Sequence, residues 1–277
     1  YAIFCYAPMG GLVIAFKKYS VIKGIWNSPW VGLKNFERLF GSAAFMRSIQ
    51  NTLVFSGLNF VFGFPLPIIF AILLNEMPGI RYKKIVQTVS YLPHFISWSV
   101  AGGLVYMLLS PSTGAIAAIV RALGGTPQNY IGISRYFRPI VVVSDIWKSL
   151  GWSAIIYIAA ISSVDEQLDE AALIDGAGRF ARIWHVTLPG IMGTVIILLI
   201  LRMGSIMSVG YEKIILLYNE SIYETSDVIS TFVYRMGLGK AQYSYSTAVG
   251  LFNSVINFII VYTFNKISRK VSEVSLW

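Results

Sequence analysis

Catalysis needs nucleophiles, bases or metal ligands in company, and this sequence keeps its few such residues apart. It holds one cysteine, Cys5, and two histidines, His94 and His185. That set matches no metal site. A lone cysteine closes no internal disulfide and leaves the redox compartment undetermined. His185 reads as a surface residue, and His94, directly after Pro93, reads as structural. The nearest approach to a phosphate-binding loop is Gly237-Leu-Gly239-Lys240-Ala241. It lacks the first glycine at the right distance and the hydroxyl after the lysine, so the chain offers ATP and its Mg no cradle of its own. No serine triad or carboxylate pair has a supporting context. The sequence reads as a non-enzyme without a cofactor or metal of its own.

Other chemistry sits in polar residues inside long apolar runs, which are functional suspects by default. Lys148 follows Asp145 by three positions. That is the spacing of an intrahelical ion pair, so mutual neutralisation competes with a role beside a solute path. Arg202 has no acid three or four residues away in sequence. It is left to face the bundle interior, a partner subunit or a ligand. Asn253 and Asn257 share a helix face, where helix–helix hydrogen bonds are worth about 0.6 kcal/mol each. Trp98, Trp147, Trp152 and Tyr157 offer faces on which a sugar ring can stack, although aromatics in a bundle also serve as packing or interfacial anchors. The path candidates are Arg202, Lys148, Trp152, Asn253 and Asn257.

The elements that must position these residues follow from composition. Of 277 residues, 56% are hydrophobic and only 13% charged, with a mean hydropathy of +0.65. A soluble domain carries about 25% charge, so this chain lacks the polar covering a water-exposed core requires. Aromatic residues at 14% also exclude a disordered coil. The net charge of +9 comes from Lys and Arg scattered between apolar runs rather than from a basic stripe. That excludes nucleic acid as a partner and fits a membrane protein beside anionic lipid head groups.

Six runs approach the roughly 20 apolar residues a spanning helix needs: 1–16, 52–74, 91–109, 140–161, 191–209 and 248–264. Lipid leaves no partner for free backbone groups, so each is expected to be helical. The first opens without Met or a basic leader, as expected of a chain whose true N-terminus lies upstream. Pro65 and Pro67 should kink the second run. Gly10–Gly11 and Gly102–Gly103 should permit close helix contact. Loop 17–51 holds a short interfacial helix with Phe36, Leu39 and Phe40 on one face. Loop 110–139 opens on a turn, and loop 210–247 carries a helix from Asp227 to Met236, stopped by Gly237. Lys and Arg are distributed at similar density on the two sides, so the positive-inside rule gives no orientation.

The segment 162–190 is the most informative. Ser163 with Glu166 fits a capping box that starts a helix. Gly176-Ala-Gly178 breaks it, and a second helical stretch with Phe180, Ile183 and Trp184 on one face ends at Pro189. The first arm is acidic, with Asp165, Glu166, Asp169, Glu170 and Asp175. By its residues alone this is a helical hairpin at a membrane surface, and a solvated connector is the simpler reading.

Glu170-Ala171-Ala172, then Gly176 and a closing Leu188-Pro189, resembles the "EAA" loop of permease subunits in binding-protein-dependent ABC importers. Asp175 and Ala177 extend the match. The stretches Tyr91-Leu-Pro-His-Phe-Ile-Ser-Trp98 and Trp147-Lys-Ser-Leu-Gly-Trp152 look like the carbohydrate branch, near the permeases for alginate and other oligosaccharides. The resemblance covers essentially residues 1–277 as one permease domain. It implies an all-α membrane protein of six transmembrane helices with the type I importer fold, in the bacterial cytoplasmic membrane. Loop 162–190 would be the cytoplasmic coupling hairpin, with Glu170, Ala171, Ala172, Asp175, Gly176, Leu188 and Pro189 at the ATPase. Loops 17–51, 110–139 and 210–247 would face outward. Implied partners are a second homologous permease chain, two ATPase subunits that hold ATP and Mg, a solute-binding protein outside, an oligosaccharide and the lipid membrane. Alternating access would carry the sugar. An excess positive charge in the spans, at Arg202, favours an acidic, alginate-like oligomer. The alternatives are an ion-coupled secondary transporter, with Asp145 as its intramembrane acid, and a membrane-embedded transferase.

Overall fold

A computed structural model describes residues 1–272; the end of the expected 1–277 domain, 273–277, lies outside the described residues. The described chain is helical. Its strand-like pairing is an isolated antiparallel bridge between Lys17 and Trp30. An apolar helical segment, Ala2–Phe16, opens the fold. The elements that follow are α1 (Lys34–Phe40), α2 (Ala43–Asn75), α3 (Ile80–Phe95) and α4 (Trp98–Leu109). Then come α5 (Ala115–Ala122), α6 (Ser134–Ser162), α7 (Glu166–Ile174) and α8 (Arg179–Met203). The last are α9 (Tyr211–Ile215), α10 (Ile229–Tyr234) and α11 (Tyr243–Lys270).

Length and apolarity qualify four of these to cross a membrane: α2, α6, α8 and α11. The pair α3–α4 qualifies as one bent span, its halves 103° apart, and Ala2–Phe16 is apolar but shorter. The expected run 91–109 is therefore broken rather than straight. Pro93 lies in the tight turn Leu92–Phe95, and Ile96 is extended. Ser97 then restarts the helix by accepting a hydrogen bond from the Val100 amide at 3.3 Å, the ordinary work of an N-cap serine.

Several boundaries differ from the sequence reading. Helix α2 begins at Ala43, inside the expected loop 17–51, where Ser42 Oγ accepts from the Phe45 amide at 3.3 Å. Pro65 leaves α2 continuous because a π-turn over Asn59–Gly63 lies just ahead of it and spares the donor proline lacks. The helix expected over 227–236 is α10, and a π-turn, Arg235–Gly239, carries the chain through Gly237 rather than stopping there. Gly10, Gly11 and Gly103 meet no neighbouring atom within 4 Å of a built Cβ; close packing inside this chain does not explain them.

The chain forms two compact units. The first holds residues 1–56, 128–138 and 204–260. Its core joins Ala15, Leu39, Phe45, Met207, Phe232 and Val249. Leu39 of α1 is fully buried there, and Phe40 meets Phe252 edge-on at 5.7 Å, so one face of α1 is a packing face. Of the described residues, the second unit holds 57–127, 139–203 and 261–272, and its core is Ala71, Ile72, Ala154, Tyr157, Ile161 and Ile191.

Candidate functional site

The hairpin between α6 and α8 is built by local rules. Asp165, not Ser163, caps α7: its Oδ1 accepts from the Gln167 amide at 3.0 Å. Ser163 instead donates to the Ala160 carbonyl at 2.7 Å, so the expected capping box does not form. At its other end α7 closes on Gly176, whose φ of +79° favours glycine. The Gly176 amide reaches the Leu173 carbonyl at 3.0 Å and the Ala177 amide reaches Ala172 at 2.9 Å. These two bonds form a Schellman turn. The alanines of the Glu170-Ala171-Ala172 run thus supply carbonyls that hold the turn. The Asp175 amide likewise reaches the Ala171 carbonyl at 3.0 Å.

The second arm continues directly into a span. Pro189 does not end it; a π-turn over Ile183–Thr187 precedes Leu188 and Pro189, and α8 runs on to Met203. An ion pair between Arg182 and Asp169 ties the two arms together. Sequence reading missed this pair because the residues are 13 apart. The signal was present: they stand at nearly mirrored distances from Gly176. At the base, a Cβ on Gly190 would lie 2.7 Å from Val164. Val164, Ile183 and Leu188 pack on the Ala71–Tyr157–Ile191 core of their unit.

Outside that anchored base, the hairpin leaves apolar groups in the open. Ile174 is 86%, Phe180 89% and Trp184 68% exposed. Glu166, Glu170 and Asp175 are exposed on the same hairpin, and His185, also exposed, bonds to the Ala181 carbonyl at 2.9 Å. Large exposed apolar side chains beside carboxylates are what a partner groove with basic walls would cover.

A second arrangement joins two stretches that are far apart in sequence. Residues 91–98 and 147–152 meet where α3 packs on α6. A Cβ on Gly151 would fall 2.3 Å from the Ser90 carbonyl oxygen, so glycine alone allows that approach. The His94 ring stacks on Trp152 at 4.4 Å with the planes 2° apart, and Phe95 meets the same indole edge-on. Lys148 is buried; its ammonium donates to the His94 carbonyl at 2.8 Å and lies 5.6 Å from the Trp98 ring. His94 is thus a structural platform, as its place after Pro93 suggests.

The remaining path candidates fall in both units, Asn253 and Asn257 in the first and the others in the second. Tyr157 is 3% exposed and packs in the core, while Trp147 and Trp152 are exposed. Arg202 is exposed near the end of α8, within electrostatic reach of Tyr157. Asn257 accepts from the Met207 amide and donates to Ser208 Oγ, both at 3.1 Å. Asn253 is half-buried, and its Oδ1 meets no hydrogen-bond donor.

Residues 42–273 match the family described as binding-protein-dependent transport system inner membrane component. The chain is 42% identical over 277 residues to Protein LplB of Bacillus subtilis (strain 168), covering 100% of this chain and 87% of that one. It is 43% identical to the polygalacturonan/rhamnogalacturonan transport system permease protein YteP of the same organism, covering 100% and 86%. Among solved structures, it matches with a TM-score of 0.92 and 45% identity a chain of a bacterial ABC transporter involved in the import of the acidic polysaccharide alginate. That match covers 98% of this chain and 91% of that one. A bacterial alginate ABC transporter in complex with an alginate pentasaccharide-bound periplasmic protein matches equally, at 44% identity, 99% and 91% coverage and a TM-score of 0.92.

Proposed function

The chain belongs to the family of binding-protein-dependent transport system inner membrane components, and from that premise we propose that it forms part of the translocation path of an ATP-driven oligosaccharide importer. It is a multi-pass protein of the bacterial cytoplasmic membrane with the permease fold of type I ABC importers. In our reading it pairs with a second homologous permease chain. Two ATPase subunits bind ATP and Mg on the cytoplasmic side, and a solute-binding protein delivers the sugar outside.

The observation that carries this reading is the 162–190 hairpin: a backbone locked by the Gly176 turn, a tie between its arms, and Ile174, Phe180 and Trp184 left open. Rigid inside and apolar outside, it suits a groove in the ATPase. Glu170 and Asp175 would meet basic residues there, Ala171 and Ala172 would allow close approach, and Leu188-Pro189 would hand the motion to α8. ATP-driven closure of the ATPases would displace the hairpins and rock the spans between inward- and outward-open states. Loops 17–51, 110–139 and 210–247 would face the binding protein. The ion-coupled alternative is not favoured by the family match.

We assign the cargo as an acidic oligosaccharide. YteP by its description carries polygalacturonan or rhamnogalacturonan, and the transporter matched by structure imports acidic alginate. Cations at Lys148 and Arg202 supply positive charge, and Trp152 and Asn253 add a stacking face and an amide, while Asn257 is spent on Met207 and Ser208. Proteoliposomes holding the assembled complex test the reading. We expect uronate oligomers to be carried in preference to neutral ones, and Arg202→Gln to lower that transport. A parent that prefers neutral sugars, or a variant that matches it, removes the acidic assignment. A chain that purifies without any ATPase removes the importer.

A further inference from the structure

The loop between α8 and α11 contains a cavity of about 130 Å³ that shares no residue with the hairpin or the path candidates. Its lining is Ala44 and Arg47 from the start of α2, Tyr223, Glu224 and Asp227 ahead of α10, and Arg235 just after it. The walls are fixed by bonds across long sequence separations. Asn51 donates to the carbonyls of Asp227 at 2.9 Å and Glu224 at 3.1 Å, and accepts from Arg138 at 2.8 Å. Both Asp227 carboxylate oxygens are engaged, one by Thr231 at 2.9 Å and one by Arg235 at 2.5 Å. Burial pushes the Asp227 carboxyl up, against the pull of Arg235, Thr231 and Arg47.

Arg235 uses only part of its donor set. One terminal nitrogen binds Asp227 and the guanidinium lies 4.5 Å over the Tyr223 ring, but Nη1 is buried without an acceptor. A planar fork fixed by an acid and an aromatic lines the cavity with the rest of its cationic edge, for which a carboxylate oxygen is the natural acceptor. Arg47 is exposed at the rim and supplies a second cation. Glu224, also exposed at the rim, opposes a further anion, so both guanidinium groups are needed. Size narrows the occupant. Pockets for whole small-molecule ligands run to about 300–1,000 Å³, too large a class for this cavity. It has room for a side-chain carboxyl with a few waters, each needing about 10–15 Å³ on this measure.

We propose that this cavity is a socket for an aspartate or glutamate side chain of the extracytoplasmic solute-binding protein, gripped between Arg47 and Arg235. The proposal rests on the importer reading, in which loops 17–51 and 210–247 both face outward; these two loops supply its walls. The socket would set the strength of docking and make it salt-dependent.

The test uses the whole complex in proteoliposomes, with its own binding protein, loaded with a uronate oligomer, titrated while ATP hydrolysis is followed. Arg47→Gln should raise the half-saturating binding-protein concentration at least tenfold and flatten its dependence on salt. Lys240→Gln, the same charge change on the exposed loop outside the cavity, should shift it less than twofold. Acetate replacing chloride at equal ionic strength should weaken docking to the parent and leave Arg47→Gln indifferent. An unchanged half-saturation in Arg47→Gln, or an equal shift in Lys240→Gln, overturns the socket. A shift confined to the sugar concentration required, at saturating binding protein, gives the cavity to the sugar instead and equally overturns it. If binding protein fails to stimulate the parent, the importer reading falls first and this proposal with it.

Discussion

The two connections flanking α8 are built in opposite ways. The hairpin before it keeps its apolar side chains outside: Ile174, Phe180 and Trp184 are largely open, and order comes from a turn and one tie between its arms. The loop after it keeps an ion pair inside. Ser226, Asp227 and Thr231 are buried with Val228, Ile229 and Phe232, and the Asp227–Arg235 pair is wrapped by aromatic rings. One connection is internally stiff but unfinished at its surface; the other is held by its own core, around the cavity lined by Arg47 and Arg235. An unfinished surface asks for a partner, whereas a buried ionic network holds up its own loop. Changes in the hairpin should therefore damage coupling while sparing the fold, and changes in the loop should damage the fold.

The largest expected effect comes from Gly176→Pro. Proline holds φ near −65°, far from the +79° observed, and removes the amide that reaches Leu173. We expect the variant to insert and assemble, yet to lose hydrolysis of ATP in response to loaded binding protein. Both quantities are read on the same purified complex. Normal stimulation would take the hairpin out of the mechanism and dissolve the contrast between the two connections.

Asp227→Ala should act through stability instead. It leaves the Arg235 guanidinium partly buried without its carboxylate, a change that costs about 3 kcal/mol when a buried pair is broken. A clear fall in the thermal midpoint of the detergent-solubilised protein is the expected result. A variant as stable as the parent but defective in coupling would show that the Asp227–Arg235 pair serves the docking socket and not the fold of the loop.

The contrast was half legible in the sequence. Gly176 announced the hairpin turn because its neighbours on both sides keep helical spacing, and the apolar Phe180, Ile183 and Trp184 marked the second arm. Its cap was misread because both Ser163 and Asp165 are good cap residues; the tertiary fit of Val164 against Gly190 goes with the later start. The 103° break at 96–97 was hidden inside an unbroken apolar run. Hydropathy counts residues and does not see that Pro93 and Ser97 both suit a stop and restart. The Asp227–Arg235 pair was not legible at all. Eight residues apart, the two would stand about 12 Å from each other along a continuous helix, and the walls around them come from α2 and the start of α6, brought together only by folding.

The smallest effect should separate two asparagines that look alike in sequence. Asn257 accepts from the Met207 amide and donates to Ser208, so it ties α11 to the start of the buried loop. Asn253, one turn earlier, has a carbonyl oxygen that meets no donor. Hydrogen bonds between helices in membranes average about 0.6 kcal/mol. Asn257→Ala should therefore lose about 1 kcal/mol for its two bonds, and Asn253→Ala much less, as thermal unfolding would show. Transport should divide the other way. The buried Asn253 Oδ1 has no donor in its own chain to lose and can take one from a sugar once the spans move, whereas the Asn257 amide is bonded twice to its own chain. Reduced uronate transport with unchanged stability in Asn253→Ala would move that residue from the fold to the path. Equal stability losses in the two variants would make both of them part of the self-supporting half of the contrast.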